Sequence, residues 1–359
     1  MAHESLYRKY RPQAFADVAG QSQVTGPLAD AIAAGKIGHA YLFSGSRGLG
    51  KTSVARIFAR EINKGRFDDH DVHEIDAASN NSVEDIRALA DGVYTLPFGS
   101  SYKVYILDEV HMLSKAAWNA FLKTLEEPPA HAVFILATTE PERVPETVQS
   151  RCQVFEFKKP TRAELAAVVT AVVQKEGHTL DKDAADLVAR LADGSYRDAL
   201  SILQKVIAGM ERVNELFGAK DYSPEITREK VEAVSGAPKR ELVHALIAAL
   251  AKGERAAALA AVERAAESGA DMKLFLELVI ESLRTVLLVR YAPEMRDSFK
   301  SELGVDEYAA LEAFAKEKNS THNALLAFLT ASERMRYAPI PSLPIELAVL
   351  ELFPESTEK

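Results

Sequence analysis

The stretch that most limits what this chain can fold into is GSRGLGKT, residues 45–52, together with what stands on either side of it. It satisfies G-x-x-x-x-G-K-[ST] at every fixed position, with Gly45, Gly50, Lys51 and Thr52. AYLFSG (40–45) before it reads as an apolar strand, and 52–62 after it carry a helical pattern. Glycines let backbone N–H groups turn inward around phosphates, and the following helix N-terminus adds positive potential. Lys51 can then reach the terminal phosphates and the Thr52 hydroxyl can hold Mg²⁺, with Gly48 and Ser53 completing the cradle. The alternative is a Gly-rich turn with an incidental Lys-Thr. The order strand, loop, helix favours the cradle.

Further strands follow. VHEIDA (72–77), KVYILDE (103–109), AVFILATT (132–139) and QVFEFK (153–158) are near-continuously apolar and separated by helical stretches. That pattern predicts a buried parallel sheet of βαβ units, hence an α/β domain over 1–160. Over 161–210 the strands stop. TRAELAAVVTAVVQKEG opens on a Thr-x-x-Glu capping signal and stops at Gly177, and two more helical segments follow. The polar passage ERVNELFGAKDYSPE (211–225) reads as a linker, and nearly everything beyond it has helical period. No fixed-period repeat is present. With 359 residues the chain exceeds one ordinary core, so roughly two or three domains are expected.

VYILDEVH (104–111) carries the chain through the sheet to Asp108 at a strand's C-terminal end, where such sheets bind ligands. Asp108 would complete the Mg²⁺ site, and Glu109 is placed to orient and deprotonate an attacking water. Alone, an apolar run ending in two acids is weak, because strands often end in solvated charges. FILATTEPERVPETVQSRC then puts Thr138 and Thr139 at the end of a fourth strand, beside the second, where a hydroxyl could sense the γ-phosphate or the water. By itself a Thr at a strand end is usually structural.

Composition narrows the partners. Net charge is −9, so nucleic-acid contact would need a local basic stripe. The single cysteine, Cys152, excludes an intrachain disulfide and a multi-cysteine zinc site in the monomer. MAHESLYRKYRPQ has no apolar region of a secretory signal, and no apolar run approaches the ~20 residues that span a bilayer. The expectation is a soluble, cytoplasmic protein with no membrane partner.

Taken together, YRKYRP, GSRGLGKT, EIDAASNNSVEDIR, LDEVHMLSKAAWNAFLKTLEEPP, LATTEPERVPETVQSRC and GSYRDAL resemble the bacterial DNA polymerase III gamma/tau subunit family, within the AAA+ class. The resemblance is dense over about 1–210, and PSLPIELAVLEL near the end resembles that family's helical collar. It implies a P-loop ATPase domain with a parallel five-stranded sheet (1–160), a three-helix lid (161–222) and an all-helical collar for oligomerisation (223–359). It implies ATP and Mg²⁺. The function implied is that of the ATP-hydrolysing subunit of the sliding-clamp loader in the DNA polymerase III nucleotidyltransferase holoenzyme. Its partners would be delta, delta-prime and further gamma/tau copies, in a hetero- or homo-oligomer, with the sliding clamp and primer-template DNA.

Roles follow from the same resemblance. Arg151 of SRC matches an arginine finger acting in trans on a neighbour's ATP, and Arg197 of GSYRDAL matches the lid's sensor. A guanidinium suits the first task, being permanently charged and able to hold two phosphate oxygens. Without the motif, Arg151 reads as a surface residue paired with Glu156 or another acid, and Arg197 as a solvated helix residue. Thr139 matches the sensor of the first domain, with Thr138 beside it. Tyr7, Arg8 and Arg11 match the segment that packs around the adenine, the alternative being a basic N-terminal arm. Ser79 or Asn80 would cap a helix facing DNA phosphate, with Arg87 and Lys123 lining the same surface; the alternative for the last two is charge pairing on helix faces.

Two departures matter. The family's four-cysteine zinc module is absent from AREINKGRFDDHDVHEID, where His70 and His73 read as solvent-facing loop residues, so no zinc is expected. The sequence stops after the collar-like segment, so a short form without the long tau extension is expected. Two rivals remain: a catalytically weak delta-prime-like scaffold, which would be expected to lose phosphate-loop or Mg²⁺ residues, and another AAA+ DNA motor such as a branch-migration helicase, which predicts a C-terminal winged helix with β-hairpin signals.

Overall fold

A computed structural model of the protein describes residues 4–64, 70–217, 224–296, 299, 305–318 and 322–353. Part of the expected linker (218–223), part of the zinc-module interval (65–69) and the tail PESTEK (354–359) lie outside the described residues. The chain divides into two units, the first ending at Arg228 and the second starting at Glu229.

In the first unit, β1 (Ala40–Ser44), β2 (Val72–Asp76), β3 (Lys103–Asp108), β4 (Ala132–Thr138) and β5 (Gln153–Glu156) form one parallel sheet in the order β2-β3-β4-β1-β5. The expected five-stranded parallel sheet is present, and each strand ends one or two residues before its apolar run suggested. The fourth strand lies between β1 and β3, not beside β2. Strand side chains alternate between two faces, and here both faces are covered. Phe134 and Leu136 of β4 pack with Trp118 and Phe121 of α5 (Lys115–Glu126) and Leu89 of α4 (Val83–Val93). Val133, Ile135 and Ala137 pack on the other side with Leu28 of α2 (Ser22–Ala33) and Phe58 of α3 (Lys51–Ile62). Each such fully buried side chain contributes about 1.5–3 kcal/mol, which is why a strand with no polar face is stable here.

Two short helices complete this part, α1 (Leu6–Lys9) and α6 (Glu146–Gln149). The lid consists of α7 (Arg162–Lys175), α8 (Lys182–Leu191) and α9 (Tyr196–Phe217). The capping box at Thr161 and Glu164 forms as the sequence predicts, and Gly177, at φ +80°, follows the helix end. α9 runs through residues 211–217, so the first part of the expected linker is helix. A small parallel ladder joins β6 (Thr179–Leu180) to β7 (Glu225–Ile226), two-residue strands too short to leave a period in the sequence. The N-terminal helix sits on this lid: Leu6 N donates to Gln204 Oε1 at 3.0 Å, and Lys9 Nζ and Tyr10 Oη both donate to Glu176 Oε1.

The second unit is helical throughout its described residues. After α10 (Arg228–Ser235) come α11 (Arg240–Lys252), α12 (Arg255–Glu267), α13 (Met272–Tyr291), α14 (Val305–Ala315), α15 (His322–Met335) and α16 (Leu343–Leu352). Their core includes Leu246, Leu250, Phe275, Val279, Phe328 and Ile345. No strand occurs among its described residues, which leaves no β-hairpin of a winged helix there. No helix of the described residues is long and apolar enough to cross a membrane.

Candidate nucleotide-binding site

The C-terminal edge of the sheet gathers the motif residues. The strand order places β4 between β1, which feeds the glycine loop, and β3, which ends at Asp108. Gly45 N donates to Thr138 O at 3.2 Å, joining the loop to the end of β4. Two glycines are required by their surroundings. A Cβ on Gly45 would lie 2.6 Å from Phe157 O, and one on Gly48 would lie 2.0 Å from Ser195 Oγ, and both have positive φ.

Lys51 is buried and its Nζ donates to Gly45 O at 2.7 Å and Ser46 O at 2.9 Å, folded back into its own loop. Burial lowers its pKa, while Glu109 and Asp108 draw it back up. Thr52 Oγ1 donates to Asp108 Oδ2 at 2.8 Å, so the hydroxyl and carboxylate foreseen for Mg²⁺ meet. Both offer hard oxygen donors, the set that suits an ion which keeps waters and takes phosphate oxygens as its remaining ligands. These residues therefore fit Mg²⁺ carried in with a nucleotide. The described residues contain no cluster of three or more His, Cys, Asp or Glu side chains able to hold a metal by themselves.

Glu109 occupies the left-handed region, φ 49° and ψ 46°. A non-glycine residue held there costs about 1–3 kcal/mol and persists only where its surroundings impose it. Thr139 Oγ1 donates to Glu109 Oε2 at 3.0 Å. Thr138 is turned elsewhere: it is fully buried, accepts Glu140 N at 3.0 Å and lies 3.2 Å from His111 Nδ1.

The lid closes the other side. Tyr196 N donates to Gly48 O at 3.2 Å, and Tyr196 Oη to Ala19 O at 3.0 Å. Arg197 lines the same cavity as Tyr7, Arg11, Gly50, Lys51 and Asp108, and Ser53 lies on its wall. The Arg197 guanidinium sits over the Tyr7 ring at 5.7 Å. Arg8 also stacks on Tyr7, at 5.8 Å, and is exposed outside the cavity lining. Burial, and then the neighbouring Arg56, lower the pKa of Arg11.

Arg151 does not line this cavity. It donates to Thr147 O at 2.6 Å and to Glu126 Oε1 at 2.7 Å, so its acidic partner is Glu126 and not Glu156.

The expected helix cap is corrected. Ser82 is the N-cap of α4, in a capping box with Asp85, while Ser79 and Asn80 belong to the preceding turn and bond to Asp76. Asp85 supplies the reciprocal carboxylate three residues on, which neither earlier residue finds. Arg87 and Lys123 stand exposed on the neighbouring helices α4 and α5, without an ion pair among the described residues.

Two residues that matter here carried no sequence signal of their own. His111, two positions past Glu109, lies between that residue and Glu140. Asp71, just before β2, accepts the backbone N–H groups of Phe98, Gly99 and Ser100 at 2.6, 2.9 and 2.9 Å.

Three family models match successive parts of the chain: "DNA polymerase III, delta subunit" over 20–161, "DNA polymerase III clamp loader subunit, ATPase lid domain" over 164–211, and "DNA polymerase III subunits gamma and tau domain III" over 226–357. The DNA polymerase III subunit gamma of Buchnera aphidicola is 30% identical over 378 residues, covering 99% of this chain and 99% of that protein. The chain belongs to the DNA polymerase III gamma/tau family. DNA polymerase III subunit tau of Bacillus subtilis is 36% identical over 371 residues, and there the chain spans 63% of the relative's length. Among solved structures, the Thermotoga maritima RuvB Holliday junction branch migration motor matches with a TM-score of 0.52 at 20% identity, covering 85% of this chain and 91% of that one. At that identity the likeness speaks for the AAA+ fold alone.

The histidines left where this family's zinc module would stand are not both loop residues. His73 lies within β2 with its ring stacked on Tyr105 at 5.0 Å, and burial lowers its pKa. His70 packs against Phe98 at 5.5 Å.

Proposed function

We propose that this gamma/tau family chain is the ATP-hydrolysing subunit of a bacterial sliding-clamp loader, acting within the DNA polymerase III nucleotidyltransferase holoenzyme as its ATPase. The observation that carries the reading is the meeting of Thr52, Asp108, Glu109 and Thr139 at one sheet edge, with Lys51 and Arg197 on the same cavity. A delta-prime-like scaffold would not need all of these groups. We divide the chain into an ATPase domain (1–160), a lid (161–222) and a collar (223–359).

ATP binding draws Lys51 off the carbonyls of Gly45 and Ser46 and onto the phosphates. Gly48, Gly50 and Ser53 line the phosphate path and Gly45 opens the loop that carries them, while Tyr7 and Arg11, with Arg8 behind them, wall the base. Thr52 and Asp108 would hold Mg²⁺, which would supply charge neutralisation at the phosphates. Glu109 Oε2 is taken by Thr139, which leaves Oε1 to orient and deprotonate water. Arg197 reports closure of the lid, and Arg151, held by Glu126 away from its own cavity, reaches a neighbouring subunit's ATP. An arginine supplied in trans contributes about 10³–10⁵ in rate, so an isolated subunit hydrolyses slowly.

Partners follow from surfaces. Arg87 and Lys123, with Ser79 and Asn80 in the turn before α4, contact primer-template phosphates without reading sequence. The loop from α4 to β3 lies at the opposite sheet edge from the nucleotide, exposes Leu96 (79%) and Phe98 (82%), and is pinned by Asp71; we assign it to the sliding clamp. The collar holds delta, delta-prime and further gamma/tau copies.

The deciding experiment is ATP turnover with and without primed DNA, clamp and the partner subunits, on wild type, E109Q and R151A. The expected result is stimulation by the complete set, ATP binding without turnover in E109Q, and about 10³-fold lower stimulated turnover in R151A with unchanged binding. Equal rates with and without the set would reject clamp loading.

A further inference from the structure

The carboxylate of Glu109 is not held by Thr139 alone. His111, the last residue of VYILDEVH, is 6% exposed at its side chain and lies between two acids. Its Nδ1 is 3.4 Å from Glu109 Oε2 and 3.2 Å from Thr138 Oγ1, and its Nε2 is 3.3 Å from Glu140 Oε1. Glu140 is fixed from outside by Arg143, whose Nε lies 3.2 Å from Oε2, and its N–H is taken by Thr138.

The hydrogen-bond inventory of an imidazole constrains what this arrangement does. A neutral ring donates from one nitrogen and accepts at the other. With the proton on Nε2, the ring donates to Glu140 and accepts the Thr138 hydroxyl proton. With it on Nδ1, the ring donates toward Glu109 and Thr138. Only a ring with both nitrogens protonated donates to both acids together. In each case the ring fills the space behind Glu109 Oε2, and with a proton on Nδ1 it also ties that oxygen to the end of β4. To withdraw on that side, the carboxylate would have to displace a buried ring that Glu140 and Thr138 fix in place.

We infer that His111, anchored by Glu140, is a positioning residue that holds the Glu109 carboxylate aimed at the hydrolytic water. This rests on the assignment of Glu109 as the base. His111 itself touches neither nucleotide nor water, since Glu109 lines the cavity and His111 does not. Its loss therefore changes the chemical step and leaves ATP binding in place. A misplaced catalytic group of this kind costs about ten- to a hundredfold in rate.

The test is steady-state ATP turnover of the complete assembly (this subunit with its partner subunits, clamp and primed DNA) for H111A, H111Q, E140Q, H111A/E140Q and E109Q. H111A is expected to lower kcat about tenfold or more with KM for ATP within about twofold of wild type. H111Q, which keeps a donor and an acceptor at that depth, recovers part of the loss. E140Q lowers kcat in the same direction, and the double variant is no worse than H111A, because both changes break one linkage. A kcat for H111A within about twofold of wild type, or losses that multiply in the double variant, would overturn the inference. If H111A no longer binds nucleotide, E140Q decides: it keeps the size and shape of the side chain and removes its charge, and an unchanged kcat there also overturns it. Full turnover in E109Q would instead remove the base assignment, and the inference with it.

Discussion

Asp71 shows how much one buried carboxylate can organise. It is fully buried, and three consecutive amides, from Phe98, Gly99 and Ser100, donate to it. Desolvation raises its pKa, but the hydrogen bonds from Gly99, Phe98 and Ser100 outweigh it and leave the value below 3.8. A depressed folded pKa means that the stabilisation is complete above 3.8 and is lost as pH falls through the lower folded value. D71N is expected to lower stability by about 2 kcal/mol at neutral pH, since hydrogen bonds to a charged group are the stronger kind. The gap in melting temperature between D71N and wild type should narrow as pH drops below 3.8, and a pH-independent gap would reject this account. No sequence signal marks Asp71, because its partners lie 27–29 residues on, in a loop without periodicity. His111 was hidden for a related reason: its second acid, Glu140, comes from another strand's end. By contrast Lys51, Thr52, Asp108 and Glu109 were legible, since the chemistry fixes both their types and their places relative to strand ends. Arg151 was legible as a residue but not in its contact, since Glu126 lies 25 positions away.

Among elements, the tightest joint is between the glycine loop and the start of α9. Gly48 packs so closely that a Cβ there would stand 2.0 Å from Ser195 Oγ, and its φ is +80°. G48A is expected to weaken ATP binding at least about tenfold, because a left-handed alanine alone costs about 1–2 kcal/mol before the clash is counted. Titration with a fluorescent ATP analogue measures it, and unchanged affinity would mean that loop and lid are not joined here. β1, β3 and β4 were readable because two-sided burial leaves an unbroken apolar run, whereas β2 and β5, with exposed residues, were readable from short apolar runs between helical stretches. The α4 cap was misplaced from Ser82 to Ser79 or Asn80 because four consecutive polar residues, 79–82, offer similar oxygens, and only Asp85 selects among them. Residues 211–217 read as linker since a polar helix end leaves a weak apolar period, yet α9 continues through them. Arg87 and Lys123 are exposed on two neighbouring helices and make no ion pair among the described residues. R87A/K123A should reduce DNA-stimulated ATPase far more than basal ATPase and lower the salt slope of DNA binding by about two. Equal losses in both rates would argue against DNA contact.

For the whole molecule, a net charge of −9 provides no overall basic field, so the proposed DNA contact rests on local patches and the proposed assembly on apolar surface. The second unit exposes Leu326 (55%) and Leu329 on α15, and Leu347 and Leu350 on α16. Exposed leucines three residues apart on each of two paired helices fit the subunit contact proposed for the collar. L326D/L350D is expected to abolish oligomer formation in analytical ultracentrifugation while ATP binding stays at the wild-type level. Persistence of the oligomer would place the interface elsewhere.

The N-terminal helix also carries a consequence for how the protein comes into being. Leu6 waits for Gln204, 198 residues later, and Tyr7 waits for Arg197 to stack on it. At bacterial synthesis speeds of about 5–20 residues per second, roughly 10–40 s separate the emergence of these partners from the ribosome. The residues of α1 are thus among the last of this part of the chain to find their places. A nascent chain cut short before α9 has the glycine loop and the sheet, but not the wall against which the base would rest.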